Sequence, residues 1–489
     1  MIEAFTADRI RALEQVAMAS DGDDVLMQRA AAGLFRSAVE LLTTRRGGVY
    51  GATVVILAGT GNNGGDALYA GARLARRGVR VVAVPCLGRT HEAGLAALLA
   101  AGGVTASLDE VEWTDIGSRP RPRIDLFVDG LLGIGGRAGL TGPLELVSMV
   151  TSRWRIPVLA VDLPSGVDTD TGAVPGAAIT ATRTVTFGAY KPCHLVQPAR
   201  SRCGELELVD IGLPVDGELP DLLAMTDDVL AQAWPYPSPD GDKYARGVVG
   251  IDTGSEEYPG AAVLSTYGAV YAGAGMVRFL GAERPAEIIG AQLPNVVFSA
   301  GRVQANLFGS GWGERADGTE VLARAADGGL PTVIDADGLT FLPKEIPGGW
   351  LLTPHAGELA KLLGRDRRWV TDDPLRAVRA GAAQTGATVL LKGATQLVAR
   401  PDRDGVRVAL PGPSWTAQAG SGDVLGGVCA ALLAAGLRPM DAGVLGASVQ
   451  AAAAASRPGA VPPHELARTI GALLGDLERR RDELARERL

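Results

Sequence analysis

The sequence predicts an α/β protein of two consecutive domains, each a mostly parallel sheet covered by helices on both faces. Three observations support this three-layer fold class. The chain has 489 residues, which is more than one ordinary domain needs. Short apolar segments of strand length alternate with helical segments in both halves. Glycine and alanine are abundant and aromatic residues make up only 5%, a composition that suits close packing of helices on parallel sheets.

Composition and charge exclude several classes of function. The formal net charge of −8 argues against nucleic acid or an anionic membrane as the main partner. The N-terminus lacks the apolar core of a signal peptide, and the longest apolar run, around Val424–Leu437, is too short to span a bilayer. The cysteines are widely spaced, so neither a disulfide framework nor a zinc site is expected: Cys86, Cys193, Cys203 and Cys429. We expect a cytoplasmic protein that acts on small molecules.

The first half begins with two helices, predicted over Asp8–Ala19 and Asp24–Leu42 by apolar residues at helical spacing. A buried strand, Thr53–Ala58, leads into the glycine-rich segment Gly59–Asp66. A helix from Ala67 and a further strand complete a βαβ unit, which places this segment where open α/β sheets bind ligands. It is not a G-x-G-x-x-G fingerprint. Its two asparagines and its aspartate suit a hydroxylated or phosphorylated ligand together with a cation, and a purely structural turn would not need them.

Two further strands of the first half are followed by acidic residues and then by loops of small residues. One strand is predicted to end directly before Asp129 and the other directly before Asp162. A single aspartate at a strand end is commonly a helix cap. Because the carboxyl ends of parallel strands share one rim, however, we expect Asp129, Asn63 and Ser165 to meet there. Oxygen ligands without thiols or histidines indicate an alkali or alkaline-earth ion.

Three segments of the first half carry a family resemblance. GTGNNGGD after a strand, VDGLLGIG and VDLPSGVD together resemble the NAD(P)H-hydrate epimerases, over roughly residues 1–215. Those proteins have a Rossmann-like domain and interconvert the R and S forms of NAD(P)HX, which is NAD(P)H hydrated at carbon 6 of the nicotinamide ring. The resemblance implies the same fold and reaction for this half.

The resemblance also implies a role for each loop. Asn63, Asp129 and Ser165 would bind potassium, and Asp162 would act at the reacting carbon with its charge held by potassium and loop amides. One departure is Ala67, where the family often has glycine. The substrate would contact Asp162 and two glycine-rich segments, which comprise Asn62, Asn63, Gly64, Gly65, Asp66, Gly133, Ile134, Gly135, Gly136, Arg137, Ala138 and Gly139.

A proline-punctuated acidic stretch predicts the join between the domains, which are assigned to residues 1–215 and 226–489. The second half restarts with the strand Val248–Asp252 and a small-residue helix near Gly260–Ala274. A two-stranded arm is expected to turn at Asp404-Gly405. Other predicted strands are Met276–Leu280, Asn306–Phe308, Thr332–Asp335, Trp350–Leu352 and Thr388–Leu391.

The segment Ala419–Gly427, AGSGDVLGG, places a small-residue turn before an apolar helix that we predict to begin near Val424. A helix that starts at such a turn offers unpaired N–H groups and the positive end of its dipole to phosphate. Asp423 either caps this helix or accepts a proton from a hydroxyl group as that hydroxyl attacks phosphorus.

Four other polar residues of the second half are candidates for the same site. Lys392 follows an apolar strand and either holds the diphosphate of a nucleotide or is a solvated surface residue. Asp335 and Asp337 are placed to reach magnesium through water. His355 is one of only four histidines and, taken alone, is expected to pack or to cap a helix.

The second half carries its own resemblance. Its layout resembles the ribokinase-like fold, and TPHAGE, KGAT and AGSGDVLGG resemble the ADP-dependent (S)-NAD(P)H-hydrate dehydratases over about residues 226–475. Magnesium would be required because it neutralises charge on the phosphates. Two departures are Ala356 for proline and Asp252 for glycine, the latter putting an acid near a phosphate site. The hydrated dinucleotide would contact Ala262, Gly311, His355 and Asp423, and ADP would contact Lys392, Gly393, Ala394, Thr395, Gln396 and Gly422.

Three functions remain open from the sequence. The first is a bifunctional enzyme that epimerises NADHX and NADPHX and dehydrates the S form, with conversion of ADP to AMP and phosphate. The second is a ribokinase-like kinase for a small alcohol with a regulatory N-terminal nucleotide-binding domain, and the third is a non-enzymatic binding module in the first half. TPHAGE favours the first, since sugar kinases of this fold do not need it. The charged segment Asp476–Leu489 predicts a solvated helix, and we expect a homo-oligomer.

Overall fold

The computed structural model of the chain describes residues 1–108 and 124–487. Residues 488–489 of the predicted C-terminal helix lie outside this part. The chain divides into two compact units, one of Glu3–Pro220 and one of Asp221–Leu489 together with Met1–Ile2. Both units alternate strands with helices, so the predicted α/β class is confirmed.

The first unit contains a seven-stranded, wholly parallel sheet in the order β4-β3-β2-β5-β6-β7-β8. The strands of this sheet are β2 Thr53–Ala58, β3 Arg80–Pro85, β4 Val104–Thr105, β5 Leu126–Gly130, β6 Val158–Val161, β7 Arg183–Phe187 and β8 Glu205–Val209, and the short strand β1 Ile2–Ala4 at the start of the chain is not part of it. Its helices are α1 Ala7–Asp21, α2 Asp23–Arg46, α3 Asn62–Ala75, α4 Glu92–Ala100 and α5 Pro143–Trp154. The strand order reverses between β2 and β5, and such a reversal opens a ligand crevice at the carboxyl ends of the strands.

Strand β2 shows how the sequence produces three layers. Its residues read TVVILA, and all but the first are buried. Because alternate side chains of a strand point to opposite faces, Val54, Ile56 and Ala58 join one apolar core while Val55 and Leu57 join another. The strand is therefore covered on both faces, as its unbroken apolar pattern predicts.

The second unit has a mixed sheet in which the strands from β9 onward run in the order β9-β17-β16-β15-β14-β13-β12-β10-β11. The strands are β9 Leu222–Ala224, β10 Val248–Asp252, β11 Met276–Phe279, β12 Ala305–Phe308, β13 Thr332–Ile334, β14 Trp350–Leu352, β15 Thr388–Leu391, β16 Leu397–Arg400 and β17 Arg403–Val408. The helices are α6 Asp227–Ala233, α7 Pro259–Tyr271, α8 Glu283–Gln292, α9 Gly318–Asp327, α10 Ala356–Leu363, α11 Arg367–Asp372, α12 Pro374–Thr385, α13 Ser421–Ala434, α14 Pro439–Ala455 and α15 Pro463–Glu487.

The six strands β10 to β15 pair in parallel, and their order reverses between β10 and β12. This reversal again defines a crevice, flanked by the loops that follow β10 and β12. The strands β16 and β17 are antiparallel and form the predicted arm. Its turn is at Pro401–Asp402 and not at Asp404-Gly405, because the register pairs Arg400 with Arg403.

Two helices begin earlier than the sequence predicts. Helix α3 starts at Asn62 and not at Ala67, and α13 starts at Ser421 and not at Val424. In both cases glycines that read as a loop adopt helical geometry, and in α3 the backbone also packs closely against a neighbour. A Cβ atom on Gly64, for example, would lie 2.3 Å from the carbonyl oxygen of Gly59. The residues expected to bind ligand thus occupy the first helical turns, where N–H groups are unpaired.

The structure also describes the cysteines and the lengths of the apolar helices. All four cysteines are free thiols. Within residues 1–108 and 124–487, the longest apolar helices fall short of what is needed to cross a bilayer.

Candidate active sites

The crevice of the first unit is closed on one side by the first turn of α3. The side-chain amide of Asn63 donates hydrogen bonds to the carbonyl oxygens of Val161, at 2.7 Å, and Leu132, at 3.3 Å. These bonds tie α3 to the ends of β6 and β5. The side chain of Asn63 also lies against Gly133, where a Cβ atom would stand 2.6 Å from Oδ1. The two glycine-rich segments predicted to hold substrate therefore meet at Asn63.

The second glycine-rich segment is fixed by backbone bonds. Gly136 donates to the carbonyl oxygen of Gly133 at 2.7 Å, and Gly139, with a φ of 83°, donates to Gly166 at 2.9 Å. The Arg11 guanidinium donates to the carbonyl oxygen of Ile134 at 3.0 Å. The structure thus brings residues 133–139 together with the loop that carries Ser165.

Asp129 and Ser165 form one buried unit. The Ser165 hydroxyl donates to Oδ1 of Asp129 at 2.6 Å, and the Ser165 backbone N–H donates to Oδ2 at 2.8 Å. Burial raises the pKa of Asp129 to about 6, against the opposing effect of these hydrogen bonds. No basic side chain of the described residues forms an ion pair with this carboxylate.

The oxygen atoms around Asp129 suit a monovalent cation. The carboxylate of Asp129, the hydroxyl of Ser165 and the amide oxygen of Asn63 are hard donors, and a cation would neutralise the buried charge. Within residues 1–108 and 124–487, no cluster of three or more histidine, cysteine, aspartate or glutamate side chains is arranged to hold a metal ion. The donor set is therefore compatible with potassium and offers little to zinc.

The charge of Asp162 is held by a partner that the sequence analysis did not identify. Lys191 Nζ lies 2.5 Å from Asp162 Oδ1, and the Thr186 hydroxyl donates to the same oxygen at 2.9 Å. Burial alone would raise the pKa of Asp162, but the Lys191 ammonium and these hydrogen bonds hold it below its ordinary value. The expectation that potassium and loop amides hold this charge stays a prediction for potassium, and the structure adds the Lys191 ammonium and the Phe187 backbone N–H, which donates to Oδ1 at 3.4 Å.

The backbone of Asp162 is strained in a way that is common at functional sites. Its φ of 68° lies in the left-handed region, which non-glycine residues seldom adopt. The His194 ring supports this conformation, since Nε2 donates to the Asp162 carbonyl oxygen at 2.8 Å while Nδ1 accepts from the Lys191 backbone N–H at 3.0 Å. Burial lowers the pKa of His194 to about 4, so the ring is neutral.

Two more carboxyl groups face this site. Asp66, on α3, is buried, and its Oδ1 atom has no hydrogen-bond partner among the described residues. Burial raises the pKa of Asp66 well above its ordinary range, and Asp162 and Glu14 raise it further. The pKa of Glu14, on α1, is also raised by burial. The methyl group of Ala67, the departure in this segment, packs against Gly130, where a Cβ atom would lie 2.9 Å from it.

The crevice of the second unit brings three small residues together. A Cβ atom on Gly254, which follows β10, would lie 2.7 Å from Ala262 Cβ on α7. A Cβ atom on Gly311, which follows β12, would lie 2.6 Å from Ala261 Cβ. Both glycines have positive φ, at 73° and 67°. Ala262 and Gly311, the predicted substrate residues, therefore both pack next to Gly254, and Ala262 is itself buried.

Lys392 is not a solvated surface residue. Its ammonium lies 2.5 Å from Asp335 Oδ1. Asp335 is itself buried and accepts hydrogen bonds from Ser310 at 2.9 Å and Thr353 at 2.8 Å. A Cβ atom on Gly422 would stand 3.3 Å from Lys392 Nζ, so the ammonium lies over the first turn of α13. This arrangement joins a positive charge to a helix N-terminus, as an anion site requires.

Asp423 lies in the same first turn, and it is not the N-cap, which is Gly420. Burial raises the pKa of Asp423 to about 7, and the neighbouring Asp335 contributes to the increase while Lys392 opposes it. A carboxyl group with such a pKa can exchange a proton near neutral pH. The first of the two interpretations of Asp423, that it caps the helix, is therefore disfavoured.

His355 is the N-cap of α10. Its Nδ1 accepts a hydrogen bond from Gly357 N at 2.9 Å, and its own backbone N–H donates to Glu358 at 2.8 Å. Its side chain remains 59% exposed, so capping leaves a ring face free for a ligand. Lys392 N donates to Pro354 O at 2.8 Å, which places His355 next to the lysine. The helix begins at Ala356 without the usual proline.

The departure at Asp252 has a structural compensation. Its carboxylate forms an ion pair with Arg315 at 2.7 Å, and the Trp312 indole donates to its carbonyl oxygen at 3.0 Å. The expected repulsion of phosphate by Asp252 is thus reduced by an adjacent guanidinium. Asp252, Trp312 and Arg315 line a cavity of about 400 Å³ that also reaches Gly254 and Glu256.

Sequence reasoning missed Lys191, Thr186 and Ser310 as site residues. The signal for Lys191 was the same as that for Lys392, since both lysines closely follow a buried strand. Ser310 carried no signal beyond its glycine neighbours, because its role depends on Asp335 lying beside it in the sheet.

Comparison with known proteins covers both halves of the chain. Residues 23–193 match the family model described as YjeF-related protein N-terminus, and residues 249–471 match the one described as NAD(P)H-hydrate dehydratase. The bifunctional NAD(P)H-hydrate repair enzyme Nnr of Mycobacterium tuberculosis is 44% identical over 445 residues, which span 88% of this chain and 89% of that protein. The chain belongs to the bifunctional NAD(P)H-hydrate repair enzymes.

Other relatives of the same description also match most of the chain. The Mycobacterium leprae protein is 42% identical over 92% of this chain and 93% of its own length, and the Escherichia coli protein is 33% identical over 82% and 80%. A solved ADP/ATP-dependent NAD(P)H-hydrate dehydratase from Bacillus subtilis is 22% identical and covers 52% of this chain and 98% of its own, with a TM-score of 0.49. The prediction of a repair enzyme with two catalytic domains is confirmed at the level of the family, and the small-alcohol kinase is set aside.

Proposed function

We propose that this chain repairs hydrated nicotinamide nucleotides in two steps. The first unit interconverts the R and S forms of NADHX and NADPHX, and the second dehydrates the S form with ADP as phosphoryl donor. The observation that supports this proposal best is the position of Asp423. It lies with Lys392 at the N-terminus of α13, and its pKa is raised to about 7. A base next to an anion site is what phosphoryl transfer to a hydroxyl requires.

In the dehydratase step, Asp423 takes the proton of the hydroxyl group on carbon 6. The hydroxyl oxygen then bonds to the terminal phosphorus of ADP, and the bond between that phosphorus and the bridging oxygen breaks to release AMP. In the second stage carbon 5 loses a proton to water, and the phosphate leaves carbon 6 with the electron pair of the carbon–oxygen bond. The ring double bond forms between these carbons. Lys392 and the first N–H groups of α13 stabilise the negative charge on the transferring group.

Magnesium, when bound with the nucleotide, neutralises charge on the phosphates. The nearby residues suit a magnesium ion held jointly by the protein and the nucleotide phosphates better than one held by protein ligands alone. Asp335 is already engaged by Lys392, Ser310 and Thr353, and Asp337 accepts a hydrogen bond from Gly313 N at 2.9 Å. Asp337 would contact the ion through water, in the manner of magnesium held mainly by phosphates.

In the epimerase step, Asp162 exchanges the proton of the hydroxyl group on carbon 6, while the glycine-rich segments 62–66 and 133–139 hold the dinucleotide. Potassium would be held by Asn63, Asp129 and Ser165, where it would neutralise the buried Asp129 carboxylate and keep the two segments in place. The chemistry stays with Asp162, which belongs to a separate hydrogen-bonded group.

The test uses purified protein with NADHX as a mixture of both forms. Full recovery of dihydronicotinamide absorbance with ADP and magnesium is expected, faster than spontaneous epimerisation allows. ADP is expected to be the better donor, and clearly faster turnover with ATP would overturn that part. If only the S fraction is recovered, the proposed epimerase function is refuted. The expected homo-oligomer stays a prediction, to be tested by light scattering.

A further inference from the structure

Lys191 is a buried charged residue beside the Asp162 carboxylate. It is 1% exposed, and its ammonium contacts three acceptors: Asp162 Oδ1 at 2.5 Å, the Thr186 hydroxyl at 3.0 Å and the Phe187 carbonyl oxygen at 3.1 Å. Buried ion pairs seldom stabilise a fold more than apolar residues of similar volume would, because both charges lose their hydration. Stability alone therefore does not account for the lysine.

We propose that Lys191 is a positioning residue of the epimerase, whose ammonium fixes the Asp162 carboxylate in the orientation and charge state that accept the proton of the carbon 6 hydroxyl. This inference rests on the epimerase function proposed above. The geometry is selective, because Lys191 and Thr186 both bind Oδ1. Within residues 1–108 and 124–487, no hydrogen bond reaches Oδ2 of Asp162. One carboxylate oxygen is anchored, and the other is available to a substrate.

The charges around Asp162 show why an ammonium is needed there. Asp66 on α3 and Glu14 on α1 are acidic groups near the same carboxylate, and the charge of Asp162 raises the pKa of both. His194, on the 3-10 turn at residues 192–194, is neutral because burial lowers its pKa to about 4. Among the described side chains that contact the Asp162 carboxylate, Lys191 is the ammonium, and it favours the ionised form. Without it, burial would raise the pKa of Asp162 and favour the protonated form.

The ionised form is required by the chemistry. When Asp162 takes the hydroxyl proton, the O–H electron pair forms a carbonyl at carbon 6, and the bond from carbon 6 to the ring nitrogen breaks with its pair on nitrogen. The aldehyde turns about the bond between carbons 5 and 6. The nitrogen pair then attacks the opposite face, and Asp162 returns the proton to oxygen. No atom or electron is gained or lost, so a single correctly charged carboxylate suffices.

The experiment compares pH profiles of epimerisation at saturating potassium, after subtraction of the spontaneous rate at each pH. The proteins are the wild type, Asp162→Asn and Lys191→Met. In Lys191→Met the acid limb of the rate should move to higher pH, and the rate on the acid side should fall about tenfold for each pH unit by which the limb moves. Its rate should recover towards that of the wild type as pH rises. Asp162→Asn should remain at the background rate at all pH values.

A second variant, Thr186→Val, keeps the lysine but removes the hydroxyl group that bridges it to Asp162. Its acid limb should move in the same direction by a smaller amount. If Lys191→Met does not fold, the Thr186→Val profile tests the role of Lys191. An acid limb at the wild-type position in the folded variants overturns the proposal. So does a folded Lys191→Met that stays inactive at every pH at which the wild type works. If the wild type itself does not exceed the background, the epimerase function fails, and not merely the role of Lys191.

Discussion

The pH dependence of dehydration follows from the environment of Asp423. Burial and the Asp335 carboxylate raise the pKa of Asp423 to about 7, and only the ionised form can accept the hydroxyl proton. The ionised fraction at that pKa is ~0.1 at pH 6 and ~0.9 at pH 8. The rate constant of dehydration should therefore rise ~tenfold over this range and then level off. Stopped-flow absorbance with enzyme in excess over pure (S)-NADHX, at saturating ADP and magnesium, measures this step directly.

Two controls separate this effect from others. The affinity for ADP, measured by calorimetry at each pH, should change much less than the rate constant. Asp423→Ala should lose on the order of a hundredfold to ten-thousandfold in rate and should no longer show the acid limb. A flat profile between pH 6 and pH 8 in the wild type, or an unchanged slope in Asp423→Ala, would refute the assignment of Asp423 as the base.

Three further predictions concern charge and packing. Lys392→Met should raise the KM for ADP about ten- to hundredfold through loss of a charge-assisted contact, with epimerisation unchanged; an unaltered KM would place the nucleotide elsewhere. Asp129→Asn should raise the potassium concentration needed for half-maximal epimerisation, measured at constant ionic strength with choline, and an unchanged titration would remove Asp129 from the cation site. Gly427→Ala should cost roughly 1–3 kcal/mol or more by overpacking, because its methyl group would lie 2.0 Å from the Ser265 carbonyl oxygen. Gly260→Ala, whose methyl group would meet no atom within 4 Å, should leave the melting temperature unchanged or higher, and equal melting temperatures for both variants would contradict the packing.

Most of the fold was accessible from the sequence because buried parallel strands are short and wholly apolar. Thr53–Ala58, Val248–Asp252 and Thr388–Leu391 were predicted with the bounds that the structure has. The starts of α3 and α13 were not, since glycine-rich segments have low helix propensity and adopt helical geometry only through tertiary contacts. The approach of Lys392 Nζ to Gly422, at 3.3 Å from a Cβ atom built there, is such a contact.

The candidate sites were predicted in part for the same reason. Strand ends are visible in the sequence, so Asn63, Asp129 and Ser165 were correctly expected to converge. Which charges pair across the sheet is not visible in this way. The charge of Asp162 was expected to be held by a nearby potassium and by loop amides, and the ion pair with Lys191, 29 positions later, was not foreseen. That partner depends on β7 lying next to β6, which is a property of the topology and not of local sequence.

The central claim is that two separate active sites act in sequence on one damaged cofactor. The most direct measurement supplies pure (R)-NADHX with excess ADP and magnesium and follows dihydronicotinamide absorbance. The wild type should convert all of it faster than spontaneous epimerisation allows, whereas Asp162→Ala should be limited to the spontaneous rate and still dehydrate the S form at the wild-type rate. Consumption of the R form by Asp162→Ala at the wild-type rate would contradict the account.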